Sequence, residues 1–175
     1  RPVASGRVPV AWARAMIVTL VGLSLVGAAA VELALQTIRT TPTFGLFLVA
    51  SAAYFVNNVA YTFRLKHVAY LDVASISAGF VIRVMAGGFA TNVPVSGYLL
   101  VCTALLALFL GFGKRRHELT AARSNARRQR VALESYSRRG LDVALLLTAT
   151  ATVGTYVVYT VDPHTRAFFR SDWLW

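Results

Sequence analysis

The sequence is short of the features that secreted, metal-bound and ordinary soluble domains rely on. A single cysteine, Cys102, excludes a disulfide framework within the chain and a cysteine metal site. Its place inside an apolar run reads as a small buried residue. Three histidines, His67, His117 and His164, fall in three separate polar stretches without ligand spacing, which argues against a histidine-based metal site. Acidic groups are scarce too, with 7 Asp and Glu against 18 Lys and Arg and a net charge of +11. Charged residues of either sign make up only 14% of the chain, too few for a soluble domain's surface.

What fills the chain instead is hydrophobic: 57% of residues, with a mean hydropathy of +0.59. That composition belongs to an integral membrane protein. A membrane-spanning helix needs roughly 20 mainly apolar residues. Five runs meet that need: Ala11 to Leu35, Thr43 to Phe63, Val73 to Ala90, Val95 to Gly113 and Leu141 to Val161, with a sixth starting at Phe168. A transmembrane barrel fits poorly, because barrel strands are about 10 residues long and alternate in polarity. The expected fold is therefore all-α, a polytopic transmembrane helical bundle forming one domain over residues 1–175. Thr41-Pro42, Asn92-Val-Pro-Val-Ser96 and Asp162-Pro163 place helix-stopping or capping residues at the boundaries.

Basic residues alternate between loops, and such residues concentrate on the cytoplasmic side. Arg1 and Arg7 precede the first run, Arg39 alone follows it, Arg64 and Lys66 come next, and the loop after that has none. Nine more, from Lys114, Arg115 and Arg116 through Arg123, Arg127, Arg128 and Arg130 to Arg138 and Arg139, crowd the stretch from Lys114 to Arg139. The start of the chain and the loops at about 62–72 and 114–139 are expected to face the cytoplasm. Both ends look cut: no initiator methionine precedes Arg1, and Trp173-Leu-Trp175 opens a helix without completing it. The net positive charge flanks membrane spans and so is set apart from nucleic-acid binding.

Four features carry candidate chemistry. Arg64, Lys66 and Asp72 can form a phosphate or metal-phosphate site, two cations giving charge-assisted hydrogen bonds and a carboxylate binding Mg²⁺ or orienting a cation. Equally, they can be a topology signal with Asp72 as a helix N-cap. Arg83 lies deep within a span, where such residues face a bundle interior or a water-filled cavity. It is three helical turns from Asp72, about 16 Å of rise, so both are expected on one face lining a polar cavity; a buried ion pair is the alternative. Asn57 and Asn58 read first as interhelical hydrogen-bonding groups and second as binders of phosphate or sugar hydroxyls. Arg123, Arg127, Arg128 and Arg130 read as attraction to anionic membrane lipids. Lys114, Arg115, Arg116 and Glu118, a carboxylate among three cations at a helix mouth, read as an arranged site.

Together Arg1-Pro-Val-Ala-Ser-Gly6, Tyr61 with Leu65-Lys66, Leu71-Asp72-Val73, Gly79-Phe-Val-Ile-Arg83-Val-Met-Ala-Gly87 and Gly113-Lys-Arg-Arg-His-Glu-Leu119 resemble the UbiA-type prenyltransferase superfamily. Within it they are most similar to the branch that transfers phosphoribose to decaprenyl phosphate. The resemblance runs in order along nearly the whole chain. It implies a bundle of nine helical spans around a cavity open to the cytoplasm, of which this chain would cover the third to the start of the eighth. It also implies Mg²⁺ held by an aspartate-rich motif that would lie just upstream of Arg1, so the isolated fragment is expected to be inactive. The implied donor is 5-phosphoribosyl-1-diphosphate and the acceptor a polyprenyl phosphate. The product would be a precursor for cell-wall arabinan.

By the same resemblance Lys66, Asp72 and Glu118 are catalytic, Asp72 and Glu118 orienting cations or metal-bound water. Arg64, Lys66, Lys114, Arg115 and Arg116 hold phosphates, Asn58 and Arg83 line the cavity, and Tyr61 sits near the sugar. Ordinary prenyltransferases carry a second aspartate pair where this chain has Lys114 to Glu118, which favours the phosphoribosyl branch. A prenyltransferase using a prenyl diphosphate donor and a membrane transporter subunit are the competing classes, and a homo-oligomer is compatible with either.

Overall fold

Each apolar run forms one helix in the computed structural model, which describes residues 9–38, 45–122, 136–163 and 165. The helices are α1 (Val10–Ile38), α2 (Leu46–Phe63), α3 (Leu71–Thr91), α4 (Gly97–Ala122) and α5 (Arg138–Val161), with a 3₁₀ turn at Leu65–His67 between α2 and α3. All five are long and apolar enough to cross a membrane. The expected sixth span from Phe168 and the boundary at Thr41-Pro42 lie outside the described residues.

Local chemistry accounts for the helix ends. Asn92 ends α3 in the left-handed region at φ 54°, its N–H reaching the Gly88 carbonyl. A Cβ on Gly88 would come within 2.2 Å of Val95 Cγ2, so only glycine lets the chain double back there. Ser96 Oγ then accepts from Leu99 N at 3.1 Å and caps the start of α4. Ahead of α2, Gly45 takes φ 82°, and its N–H donates to Glu32 Oε1 at 2.8 Å, fastening the end of α1 to the start of α2.

One boundary departs from the sequence reading. The stretch from Lys114 was expected as loop, yet α4 runs on to Ala122. Hydropathy ends where the first charge appears, but helical hydrogen bonding does not. Arg115 and Glu118 pair at i,i+3, and Arg116 bonds Thr120 at i,i+4, so the charged segment supports its own helix. Arg138 and Arg139 likewise belong to the first turn of α5, which Ser137 caps by accepting from Gly140 N at 2.9 Å.

Helices α2, α3, α4 and α5 pack side by side in chain order, while α1 touches α2 and grazes α3. Large apolar side chains such as Val18, Val26, Leu110 and Leu146 face outward, the side that lipid tails solvate. The best-packed core is at one end, where Val73, Phe112, Tyr136 and Leu141 are buried together. Gly111 makes that packing close, since a Cβ there would stand 2.5 Å from Val73 Cγ1. The start of α3, the end of α4 and the start of α5 thus meet at one end of the bundle, as the alternation of charged loops predicts.

Candidate functional site

At that end a buried polar network joins three helices. Asp72, 2% exposed, is in the first turn of α3 rather than at its N-cap, which is Tyr70. Its Oδ2 accepts from Arg115 Nε of α4 at 2.6 Å, and its Oδ1 accepts from Val73 N at 2.8 Å and from the Tyr136 hydroxyl at 2.5 Å. Arg115, equally buried, spends a second donor on Glu118 Oε2 at 2.5 Å. Tyr136 closes the network by accepting from Tyr70 N at 2.7 Å. Burial, with the hydrogen bond to Asp72 next, pushes the Tyr136 phenol well above the usual tyrosine range, so it stays a donor.

The other cations at this end divide by exposure. Arg64 and Lys114 are exposed and Lys66 is half-buried on the 3₁₀ turn, leaving their charges open to an anion. Arg116 is drawn to α5, where its Nε donates to Asp142 Oδ1 at 2.7 Å. The structure therefore separates residues that the sequence groups together. Arg115 and Glu118 satisfy one another and Asp72 inside the bundle, whereas Arg64, Lys66 and Lys114 remain on its surface. Arg115 was expected on phosphate; in this arrangement its guanidinium is committed to carboxylates because Asp72 is buried and must be paired.

A cavity of about 320 Å³ runs between α2 and α3. Tyr54, Asn57, Asn58 and Tyr61 line it from α2, and Ser75, Ile76, Gly79, Phe80 and Arg83 from α3. Helical spacing of three and four puts each set on one stripe. From Ser75 to Arg83 the stripe covers about 12 Å of rise. Arg83 points its guanidinium over the Tyr54 ring, 4.7 Å from the centroid, and over Phe80 at 5.4 Å, and it donates to the Tyr54 hydroxyl. Asn57 is the interhelical group, donating to the Ser75 carbonyl at 3.0 Å and accepting from the Ser75 hydroxyl at 2.9 Å. Asn58 and Tyr61 are lining residues, Asn58 donating to the Tyr54 carbonyl at 2.7 Å.

Asp72 does not join Arg83 on this wall, although one helix carries both. The network to Arg115 and Tyr136 turns its carboxylate towards α4. A second, apolar cavity of about 850 Å³ among α1, α2 and α3 shares Tyr54, Asn58 and Arg83 with the first. Sequence reasoning missed Tyr54, Phe80 and Tyr136. The helical spacing of Tyr54, Asn57, Asn58 and Tyr61 was a usable signal for the first. For Tyr136 it was the aromatic residue before a Ser N-cap with Leu141 at the fourth helical position, the pattern of a hydrophobic staple.

Among the described residues no group of three or more His, Cys, Asp or Glu is placed to hold a metal. Asp72 has both oxygens engaged and Glu118 faces Arg115, so these acids do not fit a Mg²⁺ site as arranged.

Apolar spans, a polar cavity within the membrane region and a cation-bearing end define a multi-pass helical membrane protein. No family model matches the chain. It is 38% identical over 156 residues to a protein named decaprenyl-phosphate phosphoribosyltransferase from Mycolicibacterium smegmatis, covering 89% of this chain and 45% of that one. Proteins of the same name from Mycobacterium tuberculosis and Corynebacterium glutamicum are 35% and 32% identical over 174 residues, covering 99% of this chain and 53% and 49% of theirs. The chain is thus homologous along most of its length to proteins named decaprenyl-phosphate phosphoribosyltransferase, which supports the UbiA-type resemblance carried by its motifs. It spans about half the length of these curated relatives.

Proposed function

We propose that this chain is part of a membrane enzyme that transfers phosphoribose from 5-phosphoribosyl-1-diphosphate to decaprenyl phosphate, supplying precursors of cell-wall arabinan. The observation that carries this reading is the match along nearly the whole chain to proteins named for that transfer. A phosphate oxygen of the lipid attacks the anomeric carbon, the bond from that carbon to the diphosphate oxygen breaks, and pyrophosphate leaves with the electron pair.

Arg64, Lys66 and Lys114, whose charges are open at this end of the bundle, hold the phosphates of donor and acceptor. Asn58, Tyr61 and Arg83 line the cavity that takes the sugar phosphate. Asp72, Arg115 and Glu118 act from behind as a rigid support for the end of the bundle. Mg²⁺ would supply charge neutralisation for the pyrophosphate, but Asp72 and Glu118, engaged with Arg115, Tyr136 and Val73 N, are not arranged to hold it. The enzyme lies in the plasma membrane with the cation-bearing end towards the cytoplasm, in keeping with the enrichment of basic residues there.

The test follows radiolabel from the ribose of phosphoribosyl diphosphate into the organic phase, using the full-length protein in lipid with decaprenyl phosphate. Label in a lipid that mild acid returns as phosphoribose is the expected result. Label that stays aqueous in a folded preparation would refute the assignment.

A further inference from the structure

The connection from α2 to α3 holds a backbone shape that its residues do not favour. Tyr70 lies at φ 65°, ψ −39°, and Leu71 N bonds the Ala69 carbonyl at 2.8 Å across it. This is a γ-turn of the rare, strained hand, at an aromatic residue rather than glycine. Such a conformation persists only where surrounding contacts impose it.

The imposing contacts come from a residue 66 positions away. Tyr136 reaches in from just ahead of α5, accepts from Tyr70 N at 2.7 Å and donates to Asp72 Oδ1 at 2.5 Å. Its ring lies 4.8 Å from that of Tyr70, which in turn meets Phe112 edge-on at 6.1 Å. One hydroxyl therefore satisfies the amide of the strained residue and anchors the acid two positions on. The same connection carries Lys66 on its 3₁₀ turn.

We infer that Tyr136 is a positioning residue: its hydroxyl latches the start of α5 onto the α2–α3 connection and fixes the backbone that presents Lys66. The link to turnover rests on the function proposed above; the latch itself does not.

The test is Y136F in the full-length protein in lipid, which removes the hydroxyl and keeps the ring, read by amide hydrogen exchange and by phosphoribosyl transfer. Exchange over residues 65–74 is expected to rise about tenfold while the middle of α4 is unchanged. Transfer at saturating substrates is expected to fall about tenfold. L141A, which removes neighbouring packing without touching the hydrogen bonds, should loosen the whole end of the bundle rather than that segment. Unchanged exchange in Y136F, or the same local pattern in L141A, would overturn the latch. Raised exchange with unchanged transfer would overturn the positioning role. If wild type shows no transfer while Y136F still loosens the segment, the proposed function fails and the latch survives. Should Y136F not fold, Y70G in the same background, which meets the positive φ without strain, restores folding if the latch acts on the backbone; no rescue would overturn it.

Discussion

Replacing Asp72 by alanine puts the buried network under direct strain. Asp72 and Arg115 are each 2% exposed and meet at 2.6 Å, so the substitution leaves a guanidinium inside the bundle without its main partner. Removing one member of a buried pair costs about 3–5 kcal/mol. Glu118 remains bonded to Arg115 but is itself 30% exposed at the side chain, which offsets part of the loss and sets the expectation at about 3 kcal/mol. Tyr136 and Val73 N also lose an acceptor. The assay is reversible unfolding of the full-length protein in detergent, for D72A, R115M and the double variant. Because the double variant leaves no orphaned charge in the pair, its loss should fall short of the sum of the two by about 2 kcal/mol. A cost below about 1 kcal/mol for D72A, or strict additivity, would refute the reading of Asp72 as a buried structural acid.

Three further outcomes follow. K66A should lower turnover at least about tenfold in a protein that still folds, measured as transfer in lipid; unchanged turnover would reduce Lys66 to a topology marker. G111A should destabilise by about 1–3 kcal/mol in the same unfolding assay, since its Cβ would meet Val73 Cγ1 at 2.5 Å. The raised Tyr136 phenol favours the protonated form in the folded state, so its contribution to stability is fully present below the ordinary tyrosine value of 10.0 and is lost as pH rises past it. The stability gap between wild type and Y136F should accordingly hold from pH 7 to 9 and narrow only above about pH 10; narrowing near neutral pH would contradict it.

Hydropathy was enough to place five helices, because in lipid every backbone group must be satisfied within its own segment. It misjudged α4, since Lys114 to Glu118 leave the apolar run while keeping helical i,i+3 and i,i+4 partners. Arg83 was legible as a cavity-wall residue from its place inside a span, whereas Asn58 and Tyr61 were reached as lining residues only through the family resemblance. Asp72 was assigned to that same wall by spacing alone, and spacing cannot say which neighbouring helix offers a cation. Arg115 lies 43 positions further on and Tyr136 64 positions further on, and these distant partners decide where the carboxylate points. The strained turn at Tyr70 left no trace in composition or periodicity, because an aromatic residue there gives no sign of positive φ.

The function proposed is tested most directly by pyrophosphate release from phosphoribosyl diphosphate, followed on the full-length protein in lipid with and without Mg²⁺ and decaprenyl phosphate. Release that needs both, in step with phosphoribose appearing on the lipid, is the predicted result. Release without the lipid phosphate, or none from a folded preparation, would contradict it.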